Sequence, residues 1–261
     1  MKAFVLAAGL GTRLQPITGT LPKALVPVCG VPMLDRLAAA LARGGVCALA
    51  LNTHHLAEAT ERHLHARGGV GRFAGLPDLP VRLFHEPRLL GTGGALLNVA
   101  SFWGEAPLLV WNADILADLD PAELLAAHRA QPDALATLAV SRRPASSVLS
   151  FDSAGSLCGS SSRLGKDGRT VRDGSGAMER LAFHGVSVLG PGLRAAMMRS
   201  HPAGGAFDLI DALLDAVAAG GRVRAYDAGE RFWGSTGSPQ ELDALERGLA
   251  GRPDLLARWS P

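Results

Sequence analysis

Three shortages narrow what this chain can be. Cys29, Cys47 and Cys158 are its only cysteines in 261 residues; their odd number and lack of metal-ligand spacing argue against a disulfide framework or a zinc site. Idle thiols in a reducing cytoplasm are the expectation. No uninterrupted apolar run reaches the ~18 residues needed to span a bilayer, so no membrane partner is expected. Met1-Lys2 and the apolar residues after it imitate a signal peptide, but that stretch stops at Gly9 with no cleavage-like site before Arg13. Charge of one sign is also scarce in runs: 26 Lys plus Arg face 24 Asp plus Glu, a net +2, and no basic block offers an arm for nucleic acid. Repeats and low-complexity linkers are missing. With 48% hydrophobic residues the chain can bury a full core, and one domain over 1–261 is expected.

What is present begins with an apolar run, Ala3 to Ala8, that reads as a buried strand and ends in Gly9-Leu10-Gly11-Thr12-Arg13. Two phosphate motifs fail on this loop. A dinucleotide fold needs G-x-G-x-x-G opening a helix, but the third glycine position is Leu14, and Pro16 and Pro22 would interrupt that helix. A Walker loop needs a Gly-Lys-Ser/Thr that does not follow. There remains a long irregular loop with two glycines for close backbone approach to phosphate and two fixed cations, Arg13 and Lys23. An ordinary glycine turn with unrelated charges competes with this reading.

Further along, strands and helices alternate. Pro32 opens a helix whose Leu34, Leu37, Ala38 and Leu41 share a face until Gly44-Gly45. Val46 to Leu51 reads as a second strand ending in Asn52-Thr53-His54-His55, followed by a helix from Leu56 to Arg67 on which His63 and His65 face solvent. Val81 to His85 reads as a third strand, leading through Glu86 to Leu90-Gly91-Thr92-Gly93-Gly94, where backbone can touch a ligand at a helix start. Pro107 to Trp111 is a fourth strand that delivers Asn112-Ala113-Asp114 to the same sheet edge. A helix over Pro121 to Arg129, a strand over Ala134 to Val140, and a hairpin around Ser153-Ala154-Gly155 follow. Gly159 to Gly176 is expected to be a mobile surface loop or lid. Leu181 to Leu189 and Arg222 to Tyr226 read as strands, Phe207 to Ala218 and Glu241 to Leu249 as helices. The order predicts an α/β fold, Rossmann-like, a three-layer α/β/α arrangement with a central, mostly parallel mixed sheet.

Gly-Leu-Gly-Thr-Arg at 9–13, followed nine residues later by Pro22-Lys23, resembles the signature of the sugar-1-phosphate nucleotidylyltransferases, and Pro-Lys-Ala-Leu-Val-Pro-Val at 22–28 resembles its continuation. The resemblance spans nearly the whole chain and looks closest to branches acting on N-acetylmuramate 1-phosphate and mannose 1-phosphate. It implies a loop, with Ala7, Ala8, Gly9, Gly11 and Thr12, that wraps the triphosphate of an NTP, while Arg13 and Lys23 stabilise negative charge. It implies a nucleobase packed on Gly93 and Gly94. Asn112-Ala113-Asp114 is similar to the family's metal segment, which makes Asp114 the ligand for Mg2+. Asn112, Gly185 in Phe183-His184-Gly185-Val186, and Trp233 would line the sugar pocket.

One departure stands out. Trp233-Gly234-Ser235-Thr236-Gly237-Ser238-Pro239 resembles a segment in which the family places a second metal-binding aspartate, and here that position is Ser235. Either Asp114, phosphates and water complete the metal shell, or Asp227 or Glu230 contributes, or the chain binds nucleotide or sugar phosphate without turnover. The resemblance favours a catalyst that converts sugar 1-phosphate and NTP to NDP-sugar and pyrophosphate, catalytic through Arg13, Lys23 and Asp114. Its only partners would be these small molecules, and it would act as a monomer or homodimer. A nicotinamide-dependent oxidoreductase, suggested by Gly9-x-Gly11, is disfavoured by Pro16 and Pro22.

Overall fold

The computed structural model describes residues 1–66, 72–73, 76–162 and 168–261. They form two compact units, one of Met1–Leu89, Trp111–Pro121 and Phe232–Pro261, the other of Leu90–Val110 and Ala122–Arg231.

The first unit is built on parallel strands. Lys2–Leu6 lies beside Ala48–Thr53, with Phe4 opposite Ala50, and Ala48–Thr53 lies beside Leu76–His85, with Leu51 opposite Leu83. Ala3, Phe4, Val5, Leu49, Ala50 and Leu51 are all fully buried, as parallel strands covered on both faces require. Helix Met33–Arg43 connects the first two strands, burying Leu34, Leu37, Ala38 and Leu41 on one stripe. It stops where the Gly44 amide reaches Ala40 O and Gly45 adopts φ +78°. Helix Ala57–Ala66 follows the second strand; Arg67, to which the helix was expected to run, lies outside the described residues. His63, expected in solvent, instead places Nε2 2.6 Å from an oxygen of buried Asp35, because the burial of Asp35 calls for a polar partner.

Chain-distant pieces complete this unit. Ile115–Ala117 pairs antiparallel with Trp233–Ser235, Ser235 facing Ile115. Helix Pro239–Ala250 starts at Ser238, whose hydroxyl accepts from the Glu241 amide, and helix Pro253–Arg258 follows. Val28, Met33, Leu116, Leu245, Leu249 and Trp259 close around one another as a core cluster. Arg36, 1% exposed, is tolerated beside it because its guanidinium donates to Val28 O, Cys29 O and Trp259 O. Burial still holds its pKa below the usual guanidinium value.

The second unit has a mixed sheet. Ala134–Ser141 pairs antiparallel with Glu179–Leu189 and parallel with Arg222–Asp227. Ser147–Phe151 and Leu157–Ser162 form the expected hairpin, Ser147–Phe151 also pairing with Glu179–Leu189. The loop expected over 159–176 is partly strand: Gly159 faces Thr170 and Ser160 faces Arg169 across an antiparallel pair. Gly159 and the consecutive serines 160–162 carry no apolar alternation, which hides this part of the strand from a pattern reading; residues 163–167 lie outside the described residues. Helices Gly91–Asn98, Pro121–Arg129, Pro191–Ser200 and Leu209–Ala218 accompany this sheet; the third went unread between strand and loop. Among the described residues no helix is long and apolar enough to cross a membrane.

Candidate active site

The site grows from the end of the first strand. Beyond Leu6, the amides of Ala7 and Ala8 both donate to Asn52 Oδ1, at 2.6 and 3.3 Å. Asn52 ends the neighbouring strand, is 3% exposed, and donates through Nδ2 to Glu86 Oε1 at 2.7 Å. Glu86 follows the third strand, and its own amide reaches Thr53 O. A buried amide side chain thus ties three strand ends together and sets the direction in which the loop departs. The amides of Ala7 and Ala8, expected to meet nucleotide, are occupied by this bond.

The loop then folds on itself. Gly11 has φ +65°, and a Cβ there would stand 2.7 Å from Thr18 Cγ2 and 3.3 Å from Lys23 Cβ, so both conformation and packing demand glycine. Thr18, fully buried, donates from Oγ1 to Gly11 O at 2.7 Å, and His55 Nε2 lies 3.1 Å from Thr18 O. His54 Nδ1 lies 2.7 Å from Glu86 O. His55 therefore braces the loop's backbone, and His54 that of the segment after the third strand. Gly9 is exposed, with open space where a side chain would be. Among the described residues the amides of Gly9, Leu10 and Gly11 make no hydrogen bond, and donors of this kind on consecutive residues suit an anion.

Lys23 and Asp114 meet. The ammonium donates to Asp114 Oδ2 at 2.5 Å, with the two side chains 17% and 20% exposed. The turn carrying Asp114 is pinned at three points: Ala113 N on Leu6 O, Trp111 Nε1 on Ile115 O, and Thr236 N on Asp114 O. Asp114 is therefore fixed beside both the loop-bearing strand and the Trp233–Ser235 strand. Arg13 closes the group. A Cβ on Gly237 would have Glu241 Oε2, Ser235 Oγ and Arg13 Nη2 as its three nearest atoms, the latter two at 3.0 and 3.1 Å. Ser235 is 7% exposed; its hydroxyl accepts from the Gly237 amide at 2.9 Å and donates to Glu241 Oε2 at 3.2 Å.

The profile of the family described as Nucleotidyl transferase matches residues 2–152, a span that holds the loop, Lys23 and Asp114. This chain belongs to the nucleotidyl transferase family. The N-acetylmuramate alpha-1-phosphate uridylyltransferase of Caulobacter vibrioides is 31% identical over 249 residues, covering 95% of this chain and 96% of that protein. A mannose-1-phosphate guanylyltransferase of Mycobacterium tuberculosis is 36% identical over 129 residues, 49% of this chain but 34% of that longer protein. Among solved structures, the inositol-1-phosphate CTP transferase of T. maritima superposes with a TM-score of 0.73 at 18% identity, over 99% of this chain and 95% of that one. At that identity the likeness speaks for the fold, the α/β class with a mostly parallel mixed sheet and helices on both sides.

Among the other residues expected at the site, Asn112 and Trp233 are half-buried in the same unit as Asp114. Gly93, Gly94 and Gly185 belong to the second unit. There the amides of Gly93 and Gly94 both donate to Phe207 O, and side chains on them would strike the Phe207 ring and Gly205 O. Packing therefore demands glycine at both positions. Gly185 has φ +75° and lies where the register between Glu179–Leu189 and Ala134–Ser141 slips, a bulge that favours glycine. Its neighbour His184 is 1% exposed, with Nε2 2.8 Å from Ser141 Oγ. Burial, aided by Arg143, lowers its pKa to about 4. Asp227, one acid considered as a substitute ligand, is engaged in its own unit by Arg142 and the Gly229 amide.

Sequence reading missed the roles of Asn52, Glu86 and Glu241. The only signal for the first two was polarity at the ends of apolar strands.

Proposed function

We infer that this chain transfers a nucleotidyl group from an NTP to a sugar 1-phosphate, releasing pyrophosphate. The observation that carries the reading is the meeting of Lys23 with Asp114 beside a glycine loop whose free amides and Arg13 are presented to an anion.

The nucleophile is a phosphate oxygen, already anionic, that attacks the α-phosphorus while pyrophosphate departs. No serine, cysteine or histidine needs activation, so the residues position groups and neutralise charge. The amides of Gly9, Leu10 and Gly11 donate to phosphate oxygens. Arg13, a planar and permanently charged fork, takes the departing pyrophosphate. Lys23, held at its carboxylate partner before substrate arrives, shares its charge with the triphosphate at the transfer centre.

A divalent ion fits these residues. The carboxylate of Asp114 and the oxygens of Ser235 and Glu241 are hard donors with no histidine or cysteine among them, the chemistry of magnesium rather than zinc. Among the described residues no group of three or more acids, histidines or cysteines forms a cage, so phosphates and water must fill most positions, as magnesium commonly allows. When bound, the ion would supply charge neutralisation across the phosphates.

The full-length relative makes UTP with N-acetylmuramate 1-phosphate the first pair to assay, and GTP with mannose 1-phosphate the second. We also propose that both units serve one nucleotidyltransferase domain over 1–261, acting in the cytoplasm as monomer or homodimer. Pyrophosphate release from five common NTPs over a panel of sugar 1-phosphates, with and without magnesium, tests the reaction. Release with one pair, dependent on magnesium, is expected; no release with any pair overturns it.

A further inference from the structure

We propose that Glu241 is the second carboxylate of the divalent-ion site, reaching from a helix to the place where the strand offers only the hydroxyl of Ser235. The inference rests on the nucleotidyl-transfer reading above and names a ligand for the same site.

The local geometry is unusual for a residue in the first turn of a helix. Glu241 is the third residue of Pro239–Ala250, after the Ser238 cap. An acid there is favoured by the helix dipole and ordinarily turns back to hydrogen-bond the amide of the capping residue. Ser238 does its half, accepting from the Glu241 amide at 3.3 Å. The Glu241 carboxylate makes no such return bond among the described residues; it points the other way and takes the Ser235 hydroxyl on Oε2. That leaves Oε1 without a hydrogen bond among the described residues.

The place it points to belongs to the phosphate-binding group. Gly237 is what lets three side chains converge here: a Cβ on it would collide with Glu241 Oε2 and stand 3.0 Å from Ser235 Oγ and 3.1 Å from Arg13 Nη2. The same turn is bonded to the Asp114 backbone through Thr236. Asp114 alone is a weak anchor, because Oδ2 is already taken by the Lys23 ammonium. A cation bound by one carboxylate that is half-neutralised gains from a second, and magnesium uses one or two. Ser235 then acts as a positioning residue: its hydroxyl holds the Glu241 carboxylate and its oxygen receives the Gly237 amide, so one side chain sets both the carboxylate and the turn beside it.

The test reads metal binding directly. Mn2+ is titrated into the wild-type chain, Glu241→Gln and the double variant Ser235→Asp/Glu241→Gln, each saturated with α,β-methylene UTP or GTP, while free Mn2+ is followed by paramagnetic resonance and Tm is recorded. Glu241→Gln should bind Mn2+ about tenfold more weakly or worse at unchanged Tm, and the double variant should regain the affinity by returning a carboxylate from the strand. Wild-type Mn2+ affinity in Glu241→Gln overturns the inference, as does a double variant no better than Glu241→Gln. Should Glu241→Gln fail to fold, Glu241→Asp replaces it: a ligating carboxylate drawn back by one methylene weakens Mn2+, and unchanged affinity overturns the proposal. If neither analogue binds the wild-type chain, the nucleotidyl-transfer reading falls as well; if one binds while Mn2+ is indifferent to Glu241, only the ligand assignment falls.

Discussion

Single residues carry the chemistry and the tightest constraints. In the proposed reaction, removing the Lys23 ammonium would take charge away from the transfer centre, and it leaves Asp114 without its 2.5 Å partner. Lys23→Ala should lower kcat on the order of a hundredfold, measured as steady-state pyrophosphate release, with Tm as the control for folding. Gly11→Ala faces both a positive φ and contact with Thr18; a loss of about 1–3 kcal/mol in denaturant unfolding is expected. His184 supplies a pH signature. Its folded pKa of about 4 lies below the unfolded value of 6.5, so between these values the unfolded chain binds the extra proton. Stability present above pH 6.5 is therefore lost as pH falls towards 4, by an amount of the order of 1–3 kcal/mol. Arg143 strengthens that shift and Asp227 opposes it. Thermal melts across that window should show a shallower decline in His184→Gln than in the wild type.

Elements place these residues, and they do so through ends rather than middles. The strand Lys2–Leu6 aims the loop, Ala48–Thr53 provides Asn52 at its terminus, and Pro239–Ala250 provides Glu241 in its first turn. That helix is anchored from its far side by Leu245 and Leu249, buried among Val28, Met33, Leu116 and Trp259. Leu249→Ala should cost about 2–5 kcal/mol of stability, read by chemical denaturation. The strand order along Lys2–Leu6, Ala48–Thr53 and Leu76–His85 was legible because strands buried on both faces are continuous apolar runs separated by periodic helices. The strand Leu157–Ser162 was legible only at its apolar start, Leu157-Cys158, since the small residues Gly159 to Ser162 look like loop. The glycines at 91–94 were read as ligand contacts, and the structure adds that they make room for Phe207 and Gly205, neighbours more than a hundred residues away that no local pattern announces.

At the scale of the whole chain, binding should register as stabilisation. A nucleotide that binds only the folded chain adds about 2.7 kcal/mol at a hundred times its Kd. A non-hydrolysable analogue with magnesium should therefore raise Tm, and a chelator should reduce the rise; an unchanged Tm for every nucleobase would count against the site. The charge balance of +2 gives little long-range steering, so the proposed nucleotide affinity would rest on the local group of Arg13, Lys23 and loop amides rather than on the field of the molecule.

Composition, periodicity and the Gly-Leu-Gly-Thr-Arg and Asn-Ala-Asp segments by themselves determined the α/β class, the chain order of the main strands and the identity of Arg13, Lys23 and Asp114 as residues of interest, because apolar spacing and short motifs are local properties. The tertiary structure alone decided what those residues touch: that Asn52 and Glu86 hold the loop's first amides, that Lys23 closes on Asp114 across 91 positions, and that Glu241 bends to Ser235 instead of capping its own helix. Hydrogen bonds and ion pairs between side chains depend on distances of a few ångströms between segments remote in sequence, and only the packed chain sets those distances.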